Sequence, residues 1–141
     1  MSPQQFAHLM PKESEVWAAF LVAHGAEYDR FVYDVHVGQG HPLDPDWPDY
    51  IRAMVGVISP KRIDVVGYLG TQPTIFEVSP RDTRTIPGAL LMYRYLYRQQ
   101  FPQDPVPKLA AVLPRVDPDM ARYLASEGVT VYLVQPLQGG V

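Results

Sequence analysis

The sequence has no cysteine. That excludes a disulfide scaffold and any zinc site built on thiolates, while leaving the redox compartment open. Long hydrophobic runs are also missing, and no stretch approaches the about 18–20 apolar residues that a membrane span requires. Charge is sparse: Asp, Glu, Lys and Arg make up 19% of the chain and leave a net charge of −3. A protein that grips nucleic acid over a broad electrostatic footprint would carry the opposite balance. The first residues, Met1 to Gln5, lack a basic stretch followed by an apolar one, so no secretory signal is expected. These absences point to a soluble chain made and used inside a cell.

What is present is a hydrophobic fraction of 47% spread over 141 residues, with fifteen prolines and nine tyrosines. That is enough for one folded domain with one substantial core. We expect the domain to run over 1–134 and a tail to follow over 135–141. The prolines fall between periodic segments and mark connections. No internal repeat or low-complexity segment interrupts the pattern.

Helical spacing of Val16, Trp17, Phe20 and Leu21 predicts a helix over Pro11–His24, with Ser14 as a candidate cap and Gly25 as its stop. Arg30–Val37 alternates. Phe31, Tyr33, Val35 and Val37 should share one face of a strand, with Val32, Asp34 and His36 on the other. A loop over 38–48 leads to a helix at about Asp49–Ile58, which Trp47 and Tyr50 should help to pack. Two strands then form a hairpin, Ile63–Tyr68 and Thr74–Val78, around the turn Leu69–Pro73. Gly88–Gln100 reads as a helix burying Leu90, Leu91, Tyr93, Leu96 and Tyr97. Lys108–Leu113 is a short strand. Asp117 and Pro118 open another helix as N-cap and first residue, and Gly128 closes it. Val129–Val134 is the last strand. Strand–helix–strand units after a hairpin predict an α/β (α+β) domain, its mixed central sheet flanked by helices on both faces.

The hairpin carries one acid on each strand, Asp64 and Glu77. Two carboxylates on neighbouring strands can share a hard divalent cation that keeps several of its waters. Asp is depleted in strands, which favours a functional role over an accidental one. The plainer reading is two solvent-facing acids. Asp34 and His36 read as exposed positions of an alternating strand, and His8, His24 and His41 have no ligand spacing. Tyr93, Tyr95, Tyr97 and Phe101 fit a buried or interface stripe better than a platform for stacked bases. Arg94 and Arg98 fit a solvated helix face.

Asp64, Glu77 and the order of elements around them resemble the PD-(D/E)xK nuclease superfamily, over roughly Pro11 to Val134. The resemblance implies a restriction-endonuclease-like core with an extra helix between the first two strands. Asp64 and Glu77 fall at its two metal-binding acids and Ser79 at its lysine. Ala89 and Tyr93 fall at a glutamine–tyrosine pair that opens the next helix in many members. Glu13 or Glu15 could add a first-helix carboxylate, with Asp64, Glu77 and Glu15 the metal set of an active enzyme. Two acids and the tyrosine are retained, while the lysine and the glutamine are replaced. A serine hydroxyl supplies no fixed positive charge, and losing one preorganised electrostatic partner commonly costs on the order of 10²–10³ in rate. Arg81 or Arg84 could bring a charge nearby, but a guanidinium cannot take a proton from water.

The expectation is therefore a catalytically degenerate site at Asp64, Glu77 and Ser79 with no cofactor, in a protein that acts as a structural or protein-interaction module. The resemblance extends to nuclease-fold proteins of tailed bacteriophages. It implies a virion or assembly component, located in the host cytoplasm during assembly or in the particle, whose partners are other protein subunits. The alternative is a Mg²⁺-dependent endo- or exonuclease cleaving DNA. Nucleic-acid binding without cleavage is third, and its affinity would rest on Lys61, Arg62, Arg81 and Arg84.

Overall fold

The structure is a computed structural model that describes residues 9–38, 45–58 and 61–136. His8, His41, most of the expected loop over 38–48 and the tail from 137 lie outside the described residues. Among the described residues five strands form one open sheet in the order β1-β2-β3-β4-β5: β1 is Arg30–Val37, β2 Lys61–Leu69, β3 Gln72–Val78, β4 Lys108–Leu113 and β5 Val129–Leu133. The first three make an antiparallel meander, and β3, β4 and β5 run parallel. Among the described residues four helices, α1 (Pro11–His24), α2 (Asp49–Ile58), α3 (Thr85–Gln100) and α4 (Pro118–Ser126), complete the expected α+β architecture. Among the described residues no helix is long and apolar enough to cross a membrane.

The sheet separates two apolar layers. On one side α1 lays Val16, Trp17, Ala19 and Phe20 against Val65, Phe76, Val78, Ala110 and Val112. This layer is rich in rings: Trp17 stacks on Phe20 at 4.7 Å and meets Phe31 and Phe76 edge-on at 5.3 and 5.2 Å. Its buried polar atoms find partners, as when the Trp17 indole N–H donates to the Tyr33 hydroxyl at 3.0 Å. The other layer is mainly aliphatic. Leu90 and Tyr97 of α3 and Leu124 of α4 cover Ile63, Val66, Ile75, Leu109, Ala111 and Leu113. Helices thus flank both faces, and alternate side chains of β3 and β4 serve opposite layers, as the pleat requires.

Several local expectations change. The cap of α1 is Met10, not Ser14: the Ser14 amide already donates to the Met10 carbonyl at 2.9 Å, inside the first turn. Glu13 reaches back to the Met10 amide at 2.9 Å, the reciprocal half of a capping box. The α-helix does end at His24 with Gly25 as its C-cap, and a 3₁₀ turn, Gly25–Glu27, follows it. The third helix starts three residues earlier than Gly88, with Pro87 in its first turn, where a missing N–H costs nothing. Trp47 and Tyr50 do not pack α2; they are 41% and 69% exposed. By contrast, Asp117 caps α4 as its sequence indicates, accepting from the amides of Asp119 and Met120.

The face assignment of β1 also needs correction. Phe31 and Tyr33 belong to the aromatic layer under α1, whereas Val35 and Val37 belong to the aliphatic layer under α3. Simple alternation would put all four together. The break falls at Asp34, a non-glycine residue with φ of +62°, in the left-handed region that L side chains rarely adopt.

Candidate functional site

The two hairpin acids come together where the sheet opens. The β2–β3 ladder runs from Leu69 opposite Gln72 to Val65 opposite Phe76 and stops there. One step further in the same register would set Asp64 opposite Glu77. The two acids lie one on each strand, as the sequence led us to expect, and they flank the point at which the ladder ends. Glu77 is only partly exposed. Its carboxyl is pushed up to about 8, first by burial and then by the negative charges of Asp64 and Glu13.

The first-helix acid that reaches Glu77 is thus Glu13, not Glu15, which points to solvent. A signal in the sequence distinguishes them. Positions 13, 16, 17 and 20 follow the i, i+3, i+4, i+7 rule and share the face that α1 turns to the sheet, whereas 15 does not.

Tyr93, from α3, completes the acidic side. Its hydroxyl is pushed up to about 12 by burial and by the charges of Glu77 and Asp64, with the Arg62 guanidinium partly offsetting them. Arg62 is held in turn by Asp34, its Nε lying 2.9 Å from Oδ1, and His36 Nε2 lies 3.6 Å from the same oxygen. Asp34 and His36, expected only as exposed strand positions, are indeed exposed but take part in this cluster.

Ser79 lies just past the end of β3. Its amide donates to the Val112 carbonyl at 2.9 Å, fixing the strand end to β4. Its hydroxyl accepts from the Arg81 amide at 3.2 Å and donates to the Arg81 carbonyl at 2.5 Å. The side chain is thus engaged in its own turn. Alongside runs an open groove of about 530 Å³ whose walls include Lys12 and Glu13 from α1 and Ser79 and Arg81 from the β3–α3 connection. Arg84 belongs to a different groove, with Asp82 and Asp117.

The donor set fits a hard cation only in a limited form. Among the described residues no group of three or more His, Cys, Asp or Glu side chains is arranged to hold a metal ion. The charges of Asp64 and Glu13 are felt at Glu77, but the three acids do not form a three-carboxylate cage among the described residues. Asp64 and Glu77 suit a cation that takes one or two protein carboxylates and keeps most of its water, as Mg²⁺ does.

No protein-family model and no curated protein matches the sequence. A solved structure described as the crystal structure of protein of unknown function AF1548 is similar, with a TM-score of 0.43 and 13% identity over 85% of this chain. The match covers 56% of that structure's chain, so the present chain spans little more than half its length.

Proposed function

We propose that this chain is a nuclease-like fold that keeps a divalent-cation site at Asp64 and Glu77, lacks the charge needed for efficient cleavage, and works as a binding or structural module. The observation that carries this is the convergence on Glu77. A protein gains nothing in stability by burying a carboxyl beside two like charges, so such an arrangement marks a group awaiting a cation or a proton. A bound Mg²⁺ or Mn²⁺ would neutralise the pair and offer a Lewis acid to a phosphate oxygen. Cutting needs more. Ser79 stands where the resemblance implies a lysine, and its hydroxyl is engaged with the Arg81 backbone. Protein subunits of a phage-type assembly are the partners that the resemblance implies.

The second reading is an active Mg²⁺-dependent nuclease. It is favoured by one observation: Lys12 and Arg81 line the groove beside Glu13 and Ser79, so positive charge is within the site's surroundings. One experiment separates the two. Mn²⁺ and Mg²⁺ binding is measured by calorimetry on the wild type and on Asp64→Asn/Glu77→Gln, and the same samples are assayed on plasmid and single-stranded DNA. Binding that the double variant loses, without cleavage, is the expected result. Cleavage that the double variant abolishes establishes the enzyme, and an absence of binding in the wild type removes the cation site altogether.

A further inference from the structure

The pairing of β1 with β2 contains an irregularity that coincides with the acid centre. Tyr33 pairs with Val65 and Val35 with Ile63, and the ladder steps over the residues between them, Asp34 and Asp64. On both strands the faces change across this step. Tyr33 and Val65 serve the aromatic layer, whereas Val35 and Ile63 serve the aliphatic one. No residue is inserted, since the register sum is the same on either side of the step. A left-handed residue produces such a change, because it rotates the backbone without adding length. Asp34, at φ +62°, is the only non-glycine residue with positive φ among the described residues. Aspartate tolerates this conformation better than most L residues do, through its short polar side chain. Here the side chain is also anchored to Arg62, two residues before Asp64 on the facing strand.

Asp64 is therefore the residue at which two events meet: the face change shared with β1 and the end of the ladder with β3. We infer that Asp34 is a positioning residue for the acid centre, its left-handed backbone turning β1 and β2 in step and so setting how Asp64 is presented to Glu77. Strained backbone persists where the surroundings hold it, and it gathers at sites whose geometry matters. The anchoring ion pair also keeps the Arg62 guanidinium at the rim of the centre, where it is felt by Tyr93. The consequence for metal binding rests on the cation site proposed above; the consequence for strand geometry does not.

The test compares Asp34→Gly, Asp34→Asn and Asp34→Ala. Glycine adopts the left-handed conformation without cost and asparagine tolerates it, whereas alanine resists it. Two readouts are taken on each protein: Mn²⁺ affinity by calorimetry, and methyl NOEs that place Val35 and Ile63 on the α3 side and Tyr33 beside Trp17. Gly and Asn should keep the wild-type NOE pattern and lose less affinity than Ala, although all three lose the ion pair with Arg62. Ala should lose the pattern and bind Mn²⁺ about 10–100-fold more weakly, the range seen when a group that orients a metal ligand is removed. A merely structural role would make affinity follow melting temperature across all three. That result, or an alanine variant with intact NOEs and affinity, overturns the inference. If the wild type binds no Mn²⁺, the cation reading fails, and the NOE comparison alone decides the role of Asp34.

Discussion

The two ends of the β2–β3 pair differ sharply in how they are held. At the turn end the strands are laddered without a break, and Phe76, Phe31 and Tyr28 lie over Gly67. A Cβ at Gly67 would come within 2.9 Å of the Phe76 ring and 3.1 Å of the other two. At the far end the ladder stops, and burial together with the charges of Asp64 and Glu13 raises the Glu77 carboxyl. One end is closed by close contact, and at the other the ladder ends beside two acids. The closed end and its aromatic layer hold the strands in register, so the open end can keep two acids side by side. A site is more sharply defined when carried on rigid strands than on loops.

The comparison breaks most directly at Phe76, which neighbours Glu77 and belongs to the closed end. Its ring lies 5.2 Å from both Trp17 and Phe20 and 5.3 Å from Tyr28. Phe76→Ala should destabilise the protein by about 3–5 kcal/mol, read from urea unfolding, because the cavity would open in a close-packed aromatic layer. A loss under about 1 kcal/mol would mean that the layer collapses around the gap, and that it does not hold the strands as argued.

The open end is tested by pH. Glu77 has its carboxyl raised from 4.5 to about 8 in the folded protein. Between those values the native state retains a proton that the unfolded chain has released, so stability falls as pH rises through this window. The fall should amount to a few kcal/mol, at 1.4 kcal/mol or less per unit after allowing for residual solvent around the group. Glu77→Gln should stay level over the same range, and millimolar Mn²⁺ should restore the wild type at pH 8 if the acids take a cation. Parallel pH profiles for the two proteins would place the strain elsewhere.

Much of the architecture was legible because periodicity reports burial directly. The stripe of α1, the strand limits Arg30–Val37 and Lys108–Leu113, and the Asp117 cap of α4 all follow from local pattern. The acid pair was legible too, since an antiparallel hairpin brings residues equidistant from its turn together. Which first-helix acid lies toward Glu77 was decided by helical phase: position 13 falls on the face that α1 turns to the sheet and position 15 does not. The face change at Asp34 was not legible. Alternation of Phe31, Tyr33, Val35 and Val37 is identical with or without a reversal between the second and third members. Only the three-dimensional partners of those residues reveal it. The partners of Arg62 and Tyr93 likewise depend on where β1 and α3 arrive, which no local pattern encodes.

Gly67 sharpens the comparison further. Gly67→Ala places a methyl group against three rings that are already in mutual contact, and Phe76 cannot retreat without disturbing Trp17. Overpacking of this kind costs about 1–3 kcal/mol, set partly against the lower chain entropy of alanine in the unfolded state. We expect a net loss, measured as a drop in melting temperature, with Mn²⁺ affinity reduced as well if the closed end governs the open one. Unchanged affinity in a destabilised variant would show the two ends to be independent.

The smallest effect is expected where the closed end relies on a hydrogen bond and not on packing. The Tyr68 and Tyr97 hydroxyls lie 2.9 Å apart, and the Tyr97 hydroxyl donates to Asp104 Oδ2 at 2.6 Å. With Tyr97 donating to Asp104, the Tyr68 hydroxyl is the donor to Tyr97. Tyr68→Phe removes that donor while leaving the Tyr97–Asp104 bond in place, and the phenyl ring keeps its contact with the Arg30 guanidinium, 4.0 Å from the ring centre. The Tyr97 oxygen then loses one of two partners, a change worth about 0.5–1.5 kcal/mol in urea unfolding. Tyr97→Phe removes both bonds and strips Asp104 of its donor, so it should cost more than Tyr68→Phe. The reverse order would mean that the chain of bonds does not run from β2 through α3 to the following loop.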